Sequence, residues 1–137
     1  MSDCIFCRIV AGEIPSERIY EDSDHLAFMD IQPVNMGHVL VIPKDHYGCV
    51  AEMPEGAVAR LFAVANRVAL KVQEAVPSDG YILTVNNGQA AGQLVFHTHV
   101  HVIPRFRDDG LRHWGKREIG EGEIRGMAEK IREAMRS

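Results

Sequence analysis

The residues best suited to chemistry lie in one stretch, His97-Thr98-His99-Val100-His101-Val102-Ile103-Pro104. Histidines at i, i+2 and i+4 among valines predict a β-strand, on which alternate side chains share a face and the three imidazoles line up. Imidazole shuttles protons or binds metal near neutral pH. The cluster is internal and closed by Pro104, unlike a terminal tag. Two chemistries stay open from the residues alone. One is a nucleophile with acid–base partners, acting on an electrophile such as phosphorus. The other is a tris-imidazole metal site, in a binding module or a metallohydrolase. Just upstream, Gly88-Gln89-Ala90-Ala91-Gly92-Gln93 is a small-residue loop whose backbone N–H groups can approach a phosphate. It matches neither a Walker motif nor the dinucleotide fingerprint, but it delivers the chain to the histidines and favours the first chemistry.

Cys4 and Cys7 make a C-x-x-C pair with three competing readings: a redox pair, free thiols, or half of a zinc site. No strand precedes Cys4, which disfavours the redox reading. A zinc half-site needs two more N or S ligands, and His25, His46, His97 and Cys49 are candidates. Taken singly, His38 reads as structural, Asp30 as a turn-capping carboxylate, and His25 and His113 as surface residues.

The elements that must position these groups follow from periodicity. Val58, Leu61, Phe62, Ala65, Val68, Ala69, Val72 and Val76 trace an apolar stripe at helical spacing, predicting one long helix over 54–76 between Pro54 and Pro77. Residues 19–22 and 25–30 predict a hairpin. The apolar run 38–43 predicts a central strand and 81–86 another. Residues 4–11 read as a short helix or turn, and 121–136 as a second, more exposed helix with Ile124, Met127, Ile131 and Met135 on one face. Strands in hairpin order with one long helix predict an α+β fold, a mainly antiparallel sheet of about five strands with the helix on one face. Phe96, Thr98, Val100 and Val102 should then pack inward and leave the imidazoles on the accessible face.

The chain has 137 residues, 46% of them hydrophobic and 25% charged, with a formal net charge of −4. This suits one domain with one core. No basic field points to nucleic acid, and no apolar run approaches the ~20 residues of a membrane span. Without a signal-peptide pattern at the start, the expected location is cytoplasmic, with no nucleic-acid or membrane partner. Three cysteines in a reducing compartment argue against a disulfide scaffold.

Several blocks together resemble the histidine triad (HIT) family. His97 to Ile103 fits its His-φ-His-φ-His-φ-φ signature (φ apolar), with Thr98 at the first φ position. Gly37-His38-Val39-Leu40-Val41-Ile42-Pro43-Lys44 is similar to its second block. Ile5-Phe6-Cys7-Arg8-Ile9, Phe28-Met29-Asp30-Ile31, Asn86 and Gly92-Gln93 are similar to further family positions. These blocks span about 4–105 in the family's order and lie closest to its nucleotide-binding, nucleoside phosphoramidase branch.

The resemblance implies a single HIT domain over 1–137, with a core at 4–105 and a tail and helix at 106–137. It implies hydrolysis of purine nucleoside 5′-monophosphate conjugates, phosphoramidates first, through a nucleotidyl-histidine. The alternatives are a dinucleoside polyphosphate hydrolase, or a nucleotide-binding or adaptor protein with vestigial turnover. His99 would be the nucleophile, His101 the proton donor and His38 their support. Asn86, Gly92 and Gln93 would position the phosphate, and Asp30 would accept the ribose hydroxyls. Ile5, Phe6, Ile9, Phe28 and Ile31 would line the base cleft. Bacterial-type members further imply one structural zinc per chain on Cys4, Cys7, His46 and His97. Homodimers are usual in the family. Leu94 departs from the branch, which often carries a serine there.

Overall fold

The structure, a computed structural model, describes residues 3–137. In chain order its elements are α1 (Ile5–Val10), β1 (Arg18–Glu21), β2 (His25–Met29), β3 (Val39–Pro43), α2 (Glu55–Ala75), β4 (Gly80–Thr84), β5 (Val100–Arg105) and α3 (Glu121–Met135). The strands form one five-stranded sheet in the order β1-β2-β3-β5-β4, and every neighbouring pair is antiparallel. The expected α+β architecture is therefore present, with the long helix on one face and a C-terminal helix.

Strand alternation divides the core into two layers. Ala27, Val39, Val41, Val100 and Val102 point towards α2 and meet its buried stripe, Leu61, Val64, Ala65, Val68, Ala69 and Val72. Leu26, Phe28, Leu40 and Ile42 point the other way and pack against Phe6 and Ile9 of α1. His101 pairs with Leu40 on β3 and Thr84 on β4, so its side chain emerges on the α1 face. One face of the sheet is thus closed by the long helix, and the other carries the histidines.

The long helix has Pro54 and Val76 as its caps, one residue inside the expected span at each end. Four expectations are corrected. The histidine strand starts only at Val100; His97 to His99 form a lead-in whose Thr98 N–H donates to the Tyr47 carbonyl (2.7 Å), in a loop. The strand expected at 81–86 ends at Thr84, leaving Asn86 in a loop. Phe96 does not pack inward and is 52% exposed, because the lead-in bends before the sheet begins. His25 is buried, with Nδ1 3.0 Å from a carboxylate oxygen of Asp22.

Candidate active site

Two of the three triad histidines are not on an accessible face. His97 is 0% and His99 7% exposed, and His101 is half-buried. Burial removes the water that stabilises an imidazolium, so His38, His97, His99 and His101 all have pKa values below the ordinary histidine range. His101 is lowered to about 4, by burial first and then by repulsion from His99 and His38. All four are neutral at pH 7.

A neutral imidazole donates from one nitrogen and accepts at the other, and a backbone partner fixes which is which. The Pro43 carbonyl can only accept, so His97 Nε2–H donates to it at 2.8 Å. The lone pair of His97 is therefore on Nδ1. The His97 carbonyl in turn accepts from His99 Nδ1–H at 2.7 Å, which leaves the lone pair of His99 on Nε2. The Val34 N–H donates to His38 Nδ1 at 3.0 Å. His38 must then carry its proton on Nε2, and it donates to His101 Nδ1 at 2.9 Å. His101 is left with its proton on Nε2. Three backbone contacts thus orient four rings: His99 presents a lone pair and His101 a proton.

Two further sets of contacts hold this arrangement. The Phe6 ring stands edge-on to Phe28, His97 and His99, at centroid distances of 5.5, 5.9 and 5.1 Å. Asp30 sits just beyond β2; one carboxylate oxygen caps the turn by accepting from Gln32 N–H (2.8 Å), and the other is 3.4 Å from His38 Nε2. The capping role read from the sequence is therefore present, alongside a second contact with the histidines.

The loop before the lead-in is shaped by Gly88 and Gly92, both with φ near +90° (91° and 92°), a left-handed region that glycine adopts readily. Gln93 is buried, and its amide ties the loop to the chain at Gly48. It accepts from Gly88 N–H (2.8 Å) and donates to the carbonyls of Gly48 (2.6 Å) and Val95 (3.0 Å). Its direct effect is on the loop's shape. A Cβ on Gly92 would lie 3.4 Å from the Asn86 side-chain nitrogen, in ordinary contact, so it is the backbone angle rather than space that favours glycine there. Phe6, Ile9 and Phe28 are buried in the α1 layer, whereas Ile5 and Ile31 are exposed, Ile31 to 92%. The first three form a floor and the last two a rim.

At the other end of the lead-in, His97 Nδ1 lies 3.4 Å from Cys4 Sγ and 3.5 Å from Cys7 Sγ, and His46 Nδ1 lies 3.4 Å from Cys7 Sγ. A tetrahedron with Zn–S near 2.3 Å and Zn–N near 2.0–2.1 Å has an S···N edge of about 3.5 Å. All four ligand atoms lie within 4.8 Å of one another. The donor set, its spacing and the Nδ1 lone pair of His97 fit a closed S₂N₂ zinc site. Cys49 and His25 stand outside this group.

No sequence signal marks the groups that set the tautomers, because the carbonyls of Pro43 and His97 and the N–H of Val34 are backbone atoms. Asp109, in the polar run after β5, is equally unmarked. That carboxylate accepts from Arg105 Nε (2.7 Å), Asn35 Nδ2 (3.1 Å), Phe106 N–H (3.0 Å) and Leu111 N–H (3.0 Å), and these bonds, the one from Arg105 foremost, hold its pKa far below the carboxylate range.

Comparison with known proteins identifies the family and the fold. The family model for the HIT domain matches residues 11–108. An Arabidopsis thaliana protein named adenylylsulfatase HINT3 is 44% identical over 110 residues, 80% of this chain; the match spans only 56% of that relative's length. The Schizosaccharomyces pombe adenosine 5′-monophosphoramidase hnt1 is 38% identical over 130 residues, 93% of this chain and 95% of that one. A crystal structure of a zinc-bound histidine triad family protein from Mycobacterium smegmatis superimposes with a TM-score of 0.77 at 38% identity, covering 96% of this chain and 97% of that one.

Proposed function

The chain belongs to the HIT domain family, and from that premise and the site's geometry we propose that it hydrolyses purine nucleoside 5′-monophosphate conjugates, phosphoramidates first, through a nucleotidyl-histidine. The observation that carries the reading is the 2.7 Å bond from His99 Nδ1–H to the His97 carbonyl. It leaves Nε2 unprotonated, which is the form of imidazole that attacks phosphorus.

His99 Nε2 bonds to the α-phosphorus as the bond to the leaving group breaks. His101 Nε2–H passes its proton to the departing nitrogen as solvent supplies one to the histidine, so a neutral amine leaves and His101 remains a neutral imidazole. His38 supports that donation by holding His101 Nδ1 from behind. Water then attacks the phosphorus, the Nε2–P bond breaks, and the nucleoside monophosphate leaves with the proton balance restored by solvent. Asn86 and the Gly92–Gln93 backbone position the phosphate, Asp30 accepts the ribose hydroxyls, and the Ile5, Phe6, Ile9, Phe28 and Ile31 cleft takes the base. The names of the Arabidopsis and fission-yeast relatives support nucleotide conjugates as the substrate class.

Cys4, Cys7, His46 and His97 would hold one structural zinc, whose chemistry is to fasten α1 to the lead-in. The chain acts as one unit, core 4–105 with tail 106–137, and as a homodimer. We place the enzyme in the cytoplasm; among the described residues no helix is long and apolar enough to cross a membrane.

The test is hydrolysis of adenosine 5′-phosphoramidate by wild type and His99→Ala, with acid-quenched wild type weighed for the added nucleotidyl mass. Wild type should turn over and carry the adduct, and His99→Ala should do neither. Equal rates in the two proteins end the assignment. Light scattering of the purified chain reads the dimer, and a monomer mass overturns that part.

A further inference from the structure

On the face of the sheet opposite the histidines, α2 packs its buried stripe on β3, β5 and Ala27 of β2, and the β1 edge extends beyond it. Between the second half of the helix and that edge lies a cavity of about 480 Å³, within the size range of small-molecule pockets. Val68, Val72, Ala75 and Val76 form its helix wall. These side chains are too short to reach across, so the space stays open. Ile19, Tyr20 and Met29 form the strand wall, and Ile19 is 47% exposed. Gly37 closes the far end. Its φ is +91°, and a Cβ there would stand 3.0 Å from Pro104 Cγ and 3.1 Å from Val76 Cγ2, so glycine lets the chain pass that close to the end of the helix.

Two cations and no carboxylate border this apolar space: Arg67 and Lys71, four residues apart on one face of α2. Tyr20 holds Arg67 in place. Arg67 Nη1 donates to the Tyr20 hydroxyl at 3.1 Å, and its guanidinium lies 5.8 Å from the ring centroid. The hydroxyl donates in turn to Asp22 at 2.8 Å. Among the described residues no carboxylate pairs with Arg67. Lys71 meets Glu74 at 3.0 Å, but both side chains are largely exposed, and such a pair contributes little that a ligand carboxylate could not replace. We propose that the cavity binds a straight-chain carboxylate, its head between Arg67 and Lys71 and its alkyl chain along Val68, Val72 and Ala75. The wall from Val68 to Val76 covers roughly 12 Å of helix, room for a chain of about eight to ten carbons. A phosphorylated or sugar-bearing ligand finds no hydrogen-bonding side chain beyond the mouth, and a cationic chain meets like charge there. The site is independent of the triad and of the hydrolytic reading.

The experiment is titration calorimetry of the full chain with decanoate, below the concentration at which it forms micelles. Wild type should bind one equivalent per chain, and octanoate and hexanoate should bind more weakly by about fourfold for each methylene removed. Arg67→Gln/Lys71→Gln should weaken decanoate about tenfold or more, the size of a lost contact to a charged group, while decanol binds both proteins alike. Ala75→Phe should fill the groove and abolish binding of both. Arg67, Lys71 and Ala75 are exposed, so these variants should fold, and a thermal melt of each checks that they do. Wild type without saturable binding of decanoate overturns the site. So does equal affinity for decyltrimethylammonium, or unchanged binding in Ala75→Phe. Light scattering supplies the remaining arm: a dimer that becomes a monomer in Ala75→Phe gives the groove to a second copy of the chain and overturns the ligand site.

Discussion

Cys4, Cys7, His46 and His97 gather at one end of the histidine segment, and Asp30, His38 and His101 near the other; each set contains residue types that hold metal ions. Their spacings differ in kind. In the first, S···N distances of 3.4–3.5 Å match the edge of a zinc tetrahedron. In the second, a 2.9 Å N···N distance separates His38 Nε2 from His101 Nδ1, and the Val34 N–H already requires a proton on that His38 nitrogen. A proton occupies the space where a cation would have to bind. Side-chain inventory alone therefore cannot distinguish a metal cage from a proton relay; the tautomers, fixed from the backbone, do.

The largest effect that would sharpen this contrast comes from between the two clusters. His99→Ala should lower kcat for adenosine 5′-phosphoramidate by about 10⁴-fold or more while leaving zinc content at one per chain. Loss of metal in that variant would break the separation. Next, His101→Gln should slow the phosphoramidate by about 10²–10⁴-fold, the range of a lost general acid, again with zinc retained.

The double variant Cys4→Ser/Cys7→Ser should lose its zinc, read by atomic emission, and melt about 10 °C lower, since each kcal/mol lost is worth roughly 2–8 °C in domains of this size range. A protein isolated metal-free with both cysteines intact would count against the cage. Equilibrium dialysis against excess zinc checks the opposite cluster: a second tight equivalent that disappears in His38→Asn would show that the relay also binds metal.

The smallest effect is in stability against pH. The folded His101 pKa of about 4 lies below the unfolded value of about 6.5. Between these values the unfolded chain takes up a proton that the folded site excludes. The neutral site's contribution is fully present above pH 6.5 and is lost as pH falls towards 4. His38, His97 and His99 are shifted in the same direction, whereas Asp22, lowered to about 2, acts only at more acid pH. Thermal melts should show a midpoint that declines across this window, and His101→Gln should flatten the decline. A wild-type midpoint constant from pH 7 to 4 would contradict neutral burial.

Much of the fold was legible because periodicity reports burial. The stripe from Val58 to Val76 has one face to hide, and the helix follows it almost to the residue. The valine–histidine alternation also placed Thr98, Val100 and Val102 correctly inward. It failed for Phe96 and for the strand's beginning, because ladder pairing depends on a neighbour. At Thr98 that neighbour is the Tyr47 loop rather than a strand. His25 read as a surface residue because the nearby Asp22 carboxylate that accompanies its burial is visible only in three dimensions. The site's residue types were all legible, but the direction in which each imidazole points its proton was not, since peptide groups set it.

The same peptide groups give the site an unusual freedom to drift. The acceptor at position 43, the donor at 34 and the carbonyl at 97 survive most changes of side chain at those positions. A descendant could surrender the thiols, the metal and even the imidazole of residue 97, and still inherit a nucleophile presenting the same nitrogen.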